Sequence, residues 1–243
     1  GKTVSGVRLA SGRTLHASRI VAAIHPKAAI RLLPEGTLKS RQVRRILDLA
    51  NTEGLFAAYA AVDAETSPAL PYNLYRLHGN REGWLPSGVF CQLRPGRRGK
   101  NLLTMITNSP FHEWRRWEGT VSGQRGMDYR GEKARRSEGL LATAREILGP
   151  LERAEMIDAF TPLTVRDFTD SPCGSPYGVM RSARQFPAMA SLHRRPVEGL
   201  FFAGQNALAP GVLGTVLGSF QAVRQMIGQE CFDRDVFAGI AAG

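Results

Sequence analysis

Apolar and polar residues alternate in TVSGVRLA, turn at Ser11-Gly12, and alternate again in RTLHA. A period of two broken by Ser-Gly predicts a β-hairpin, the first part of a unit over residues 3–24. The unbroken apolar run SRIVAAI then predicts a strand buried on both faces. HPKAAIRLLP predicts a short helix with Pro26 in its first turn. In LKSRQVRRILDLA, Leu38, Val43, Ile46, Leu47 and Leu49 recur at helical spacing, with Ser40 as the expected cap. Gly54 ends that stretch, and LFAAYAAVD predicts another strand.

Between Ser67 and Gly131 the pattern changes to strand-sized pieces, YNLYRLHG, GVFCQLR and NLLTMIT, with RPGRRGKN as a hairpin tip. HEWRRWEG predicts a short helix and residues 119–130 an irregular loop. EKARRSEGLLATAREIL predicts a longer helix that stops at Gly149-Pro150. AEMIDAFTPLT predicts one more strand. Strands and helices do not alternate steadily. Antiparallel-looking strands sit inside a chain whose two ends read as α/β. The expected class is therefore α/β with α+β character, built as a discontinuous domain with an inserted one.

GLFFAGQNALAPGVLGTVLGSF carries the most pointed chemistry. It predicts a strand ending at Gly204, a loop, and a helix from Leu213 on which Val216, Leu217, Phe220, Val223 and Ile227 keep helical spacing. Gly204, Gly211, Gly214 and Gly218 remove side chains along that path. Two readings stand: the glycines let helix and strand pack closely, or they let a ligand approach backbone N–H groups at a helix start.

Composition narrows the classes. The 243 residues carry a net charge of +11, 43% hydrophobic and 22% charged residues. No apolar run is long enough to span a bilayer. Cys91, Cys173 and Cys231 are far apart and form no metal-ligand spacing, so no metal is expected and a reducing, cytoplasmic location is. The basic residues are scattered in pairs such as Arg44-Arg45 and Arg97-Arg98, with no accompanying RNA motif. They read as a solvated surface rather than a nucleic-acid site. An anionic cofactor or an acidic membrane surface could use part of that charge, so a peripheral membrane contact is a further expectation.

Three stretches, GVRLASGRTLHASRIVAAIHP, TPLTVRDFTDSPCGSPYG and GLFFAGQNALAPGVLGTVLGSF, resemble the C-terminal half of the phytoene-desaturase-like flavoproteins. The spacing of GQN and PGVLGTVLGS is most similar to the carotenoid isomerase and retinol saturase branch. The resemblance implies a two-domain FAD-binding fold: residues 1–33 and 171–243 as two parts of the FAD domain, and 34–170 as an inserted mixed-sheet substrate domain. It implies that Gly204, Gln205 and Asn206 approach the pyrophosphate and ribityl chain of FAD. Gly211, Val212, Leu213, Gly214 and Thr215 would lie at the ring edge, where the helix start faces the negative charge that grows on reduction. Acidic residues often stand at position 205 or 206 in such proteins; here both are amides. The GxGxxG turn that opens such folds is absent from the sequence.

The resemblance thus implies an FAD-dependent oxidoreductase of desaturase, saturase or isomerase type acting on an apolar polyene. Its partner would be an N-terminal GxGxxG-bearing segment or subunit. A more polar substrate, or a non-catalytic scaffolding role, are the alternatives. Flavin carries the redox chemistry, so no catalytic triad is expected. His25 and Tyr177 are the catalytic candidates, His25 set against a capping role and Tyr177 against a plain loop aromatic. His193 is expected at the surface. Trp84, Trp114 and Trp117 are expected in the core, with a substrate channel as the alternative.

Overall fold

The computed structural model describes residues 2–78, 87–190 and 197–241; Trp84 and His193 lie outside them. The chain forms two compact units, Gly1–Thr52 with Tyr177–Gly243, and Glu53–Pro176.

In the first unit, β1 (Gly6–Arg8) and β2 (Thr14–His16) form the expected hairpin, with Val7 opposite Leu15. Strand β3 (Ile20–Ala22) pairs in parallel with β9 (Leu200–Phe202), Val21 opposite Phe201. A parallel pair needs a crossover, and here the crossover contains the whole second unit. Helices α1 (Pro26–Arg31) and α2 (Ser40–Leu47) follow β3. Leu38, Ile46 and Leu49 are buried with Leu200 and Phe202 in one core. That packing carries α2 with the chain ends, so the units divide at 52/53 and 176/177 rather than at 33/34 and 170/171. Ser40 is the first helical residue, not the cap. Lys39 is the cap, and its N–H donates to Gln42 Oε1 at 3.0 Å. The short helix α5 (Phe186–Ala190) packs against α2, and α6 (Gly211–Ile227) follows β9.

The second unit is an antiparallel sheet in the order β5-β6-β7-β4-β8: β4 is Leu55–Asp63, β5 Leu74–His78, β6 Ser87–Pro95, β7 Lys100–Asn108 and β8 Glu155–Phe160. Phe56, Ala58, Ala60 and Val62 point to one buried face, as period two requires. The 3-10 helix Phe111–Trp117 and α3 (Gly126–Leu148) supply that core. Trp114 is fully buried, stacked on Phe56, and donates from Nε1 to Ser109 Oγ at 2.8 Å. Trp117 is 5% exposed, so both described tryptophans are core residues.

Helix α3 starts at Gly126, inside the stretch that reads as a loop. Tyr129 holds its first turn: the ring packs edge-on against Trp114, and the hydroxyl lies 2.8 Å from Thr161 Oγ1. Strand β8 stops at Phe160, because Pro162 cannot donate to a ladder and instead opens α4 (Pro162–Thr169), with Thr161 as cap.

Candidate functional site

Parallel β3 and β9 end on the same side, and open α/β sheets bind ligands beyond the carboxyl ends of their strands. After β3 comes His25, the cap of α1. After β9 comes the loop 203–210, leading into α6.

His25 is 3% exposed. Its Nδ1 accepts the Lys27 N–H at 3.2 Å, and Nε2 lies 3.0 Å from Asn51 Oδ1. Because Nδ1 must be an acceptor, Nε2 carries the proton and donates to Asn51. The ring is a neutral cap tied to a second segment. That segment pairs with residues after Tyr177: the Thr52 N–H donates to the Gly178 carbonyl and the Met180 N–H to the Ala50 carbonyl, both at 2.9 Å. The Val179 N–H in turn donates to Asn206 Oδ1 at 3.0 Å. A Cβ on Gly178 would lie 2.0 Å from that oxygen, so only glycine leaves room for the amide.

One network therefore runs from His25 through Asn51 and Gly178 to Asn206 on the Gly-rich loop. Tyr177, at its edge, is 47% exposed. Gly204 is buried with φ +76°, and the space where its Cβ would stand is open. The neighbouring Gln205 carbonyl accepts from Arg181 Nη2 at 2.6 Å. Burial holds the Arg181 guanidinium below its ordinary pKa, and its Nε is buried with no hydrogen-bond partner among the described residues.

Helix α6 begins two residues before Leu213, at Gly211, with Pro210 as a cap that offers no side-chain hydrogen bond. Its first-turn N–H groups have no intrahelical acceptor. Val212 and Leu213 beside them are 86% and 71% exposed. Thr215 Oγ1 donates back to the Gly211 carbonyl at 2.8 Å. The helix packs through Gly214, Gly218 and Ala222, one small residue per turn. A Cβ would come to 2.1 Å from the Ala209 carbonyl at Gly214, and to 2.4 Å from the Gly204 carbonyl at Gly218. Close packing thus accounts for Gly214 and Gly218, while Gly204 and Gly211 border open space. Val216, Leu217, Val223 and Ile227 carry the helical spacing but remain 36–43% exposed.

The structure therefore joins His25, Gly204, Gln205 and Asn206 at the ends of two strands and sets Gly211–Thr215 at the following helix start. Sequence reading missed Asn51 and Arg181, whose partners lie 26 and 24 residues away and leave no local pattern. Gly178, in SPYG, is the one local sign of the pairing between residues 50–52 and 178–180.

No family profile matches the chain. Among curated proteins, 125 residues are 29% identical to all-trans-retinol 13,14-reductase of Macaca fascicularis, covering 50% of this chain and 20% of that protein. This chain is similar to part of a retinol reductase. The Homo sapiens and Danio rerio enzymes of the same name are 27% and 26% identical over 125 residues. Of solved structures, a putrescine oxidase variant with redesigned cofactor binding superposes with a TM-score of 0.53 at 13% identity, covering 89% of this chain and 43% of that one. A triple variant of that oxidase gives a TM-score of 0.52 at 14% identity. The chain thus has the fold of a little under half of that oxidase, and it spans far less than two thirds of the relatives it matches.

Proposed function

We propose that this chain supplies the ring-facing part of the flavin site in an FAD-dependent oxidoreductase acting on an apolar, polyene-like substrate. The observation that carries the reading is the pair of parallel strands whose carboxyl ends lead to His25 on one side and to the Gly-rich loop and uncapped α6 on the other.

The residues fit the group. Space is open beside Gly204 and Gly211, and the first turn of α6 offers free N–H donors flanked by apolar Val212 and Leu213. Bound flavin would supply hydride chemistry. Backbone N–H groups at Val212 and Leu213 would hold the electron-rich ring edge and stabilise charge there. Gln205 and Asn206 add no charge; Asn206 spends its oxygen on Val179 and so sets the loop's position. Arg181 supports the loop through the Gln205 carbonyl. His25, neutral and engaged at both ring nitrogens, orients the β3 end and holds Asn51.

The apolar substrate class rests on the second unit. On the sheet face opposite its core, Phe160, Ala57, Ile106, Phe90 and Tyr75 stand in one row across all five strands. Tyr75 meets Phe90 edge-on, and Tyr59 meets Phe160 at 6.2 Å on the same face. Such a face suits a long apolar molecule better than a polar one. The curated relatives are named as reductases of all-trans-retinol, a molecule of that class.

A GxGxxG-bearing segment, in the same polypeptide or another, would complete the pyrophosphate end. Calorimetric titration of FAD into the 243-residue chain tests this. Charge-assisted hydrogen bonds to phosphate are worth about 1.5–3 kcal/mol each. With two or three missing, affinity should fall by several orders of magnitude relative to the assembled protein. Tight stoichiometric binding by this chain with no partner would overturn the divided-site reading.

A further inference from the structure

Helix α5 and the turn before it wall one side of a cleft of about 590 Å³ in the first unit. Phe186 and Met189 line it from that side, Ala207 and Leu208 from the Gly-rich loop, and Gln221 from α6. Hydrogen bonds fix the wall. The Phe186 N–H donates to the Ser182 carbonyl at 3.1 Å and the Met189 N–H to the Gln185 carbonyl at 3.0 Å. The Gln185 side chain ties the turn to two other segments: its Nε2 donates to the Met180 carbonyl at 2.7 Å, and its Oε1 accepts the Ala50 N–H. Clefts of about 300–1,000 Å³ with mostly apolar walls and one or two polar groups are the usual sites for small molecules.

The polar group here is a cation. Among the described residues that line the cleft, Arg181 alone is charged. A guanidinium has five N–H donors and no acceptor. Nη2 donates to the Gln205 carbonyl at 2.6 Å, while Nη1 meets Met189 Sδ at 3.1 Å, and a thioether is a weak acceptor. Nε is buried with no partner among the described residues. No carboxylate among them forms an ion pair with Arg181. Burial lowers its pKa, with no opposing carboxylate to raise it. Other sheltered arginines of the chain are paired: Arg125 with Asp167, and Arg136 with Glu113 and Glu132. A guanidinium withdrawn from water without a counterion is costly, and an incoming anion would relieve that cost.

We propose that this cleft binds an amphiphilic carboxylate, an acid carrying an apolar chain. The carboxylate meets the Arg181 guanidinium and takes Nη hydrogens that the Met189 thioether holds weakly. The chain lies against Phe186, Ala207 and Leu208. Both halves of the ligand are needed: an uncharged chain would leave the cation without a counterion, and a bare phosphate would gain nothing from the apolar walls. None of Gly211, Val212, Leu213, Gly214 or Thr215 lines the cleft, so the proposal does not rest on the flavin reading.

The test is calorimetric titration of the chain with decanoate and, separately, with decanol, which has the same chain length and no charge. Decanoate should bind saturably at one site and at least about tenfold more tightly than decanol, the value of one charge-assisted hydrogen bond. Arg181→Gln should abolish that preference by weakening decanoate alone, and Arg181→Lys should restore most of it. Leu208→Asp places a carboxylate in the wall and should also remove the preference, without touching the support that Arg181 gives to Gln205. The control Arg184→Gln removes a cation that borders a different cleft and should bind both probes as the unaltered chain does. Circular dichroism confirms that each variant is folded. Equal affinity for acid and alcohol, a preference that survives both Arg181→Gln and Leu208→Asp, or no saturable binding would overturn the proposal. Displacement of decanoate by inorganic pyrophosphate would also overturn it, by making the cleft a phosphate site. So would loss of decanoate binding when a GxGxxG-bearing segment is added, which would give the cleft to that segment.

Discussion

Two glycines on helices should respond to the same substitution with opposite signs. Gly139 lies on the exposed side of α3, and a Cβ there would meet nothing within 4 Å. Gly139→Ala should stabilise by about 0.5–1 kcal/mol, because alanine lowers the entropy lost on forming a helix. Gly218 lies mid-helix in α6, where alanine offers the same intrinsic gain. Its Cβ, however, would stand 2.4 Å from the Gly204 carbonyl oxygen, a backbone atom that no rotamer change can move aside. Relief requires α6 to retreat from the loop by about 1 Å, and overpacking of that kind costs about 1–3 kcal/mol. The net effect of Gly218→Ala is a loss of up to about 2.5 kcal/mol, set against a gain at Gly139. Urea denaturation followed by circular dichroism measures both, and amide exchange along α6 locates the loss. In thermal unfolding each kcal/mol corresponds to about 2–4 °C for a chain of this size. If Gly218→Ala raised stability as Gly139→Ala does, the small residues of α6 would not be holding helix to loop. The placement of the candidate site would fall with them.

Asn206→Ala should cost about 1–3 kcal/mol, since it leaves the buried Val179 N–H without its acceptor, whereas Asn206→Asp keeps an acceptor oxygen and should cost less; the two are compared by urea denaturation. Trp114→Ala should destabilise the second unit by about 3–5 kcal/mol, the range for large-to-small changes at a fully buried aromatic, read as a lowered midpoint in near-ultraviolet circular dichroism. Hydrogen bonds from Arg135 and Arg136 hold the Glu132 carboxyl down to about 2. A depressed folded-state value means that the stabilisation is complete above the unfolded value and lost as pH falls through the folded one. Stability should therefore drop between about pH 4.5 and 2; a chain with Glu132→Gln should lose less over that window in acid titrations followed by fluorescence.

Local chemistry made some elements readable and tertiary packing decided the others. Alternation in LFAAYAAVD marks a strand because one face of β4 is fully buried. The run SRIVAAI reads as a strand buried on both faces; β3 is there and pairs with β9, but Val21 is 46% exposed, so an apolar run alone overstates the burial. Helix α6 is a more instructive case. The spacing of Val216, Leu217, Phe220, Val223 and Ile227 identifies a helix, but the buried stripe is Gly214, Gly218 and Ala222. Periodicity locates an apolar stripe; close backbone approach decides which stripe packs. Thr161-Pro162 is a helix-opening signature that the apolar run before it masks. The first turn of α3 depends on Tyr129 reaching Trp114 and Thr161, partners no local window contains. At the candidate site, Gly204 and Asn206 stand out within their own segment. Asn51 and Arg181 act across segments, and only the folded chain brings them to the loop.

The most direct measurement is amide hydrogen exchange with and without FAD, made on the chain together with a GxGxxG-bearing partner segment. Flavin held at the carboxyl ends of β3 and β9 should slow exchange at Gln205, Asn206, Val212 and Leu213 and leave α3 unchanged. FAD binding that leaves those four amides as fast as before, or that protects only residues of the second unit, would contradict the assignment of the site.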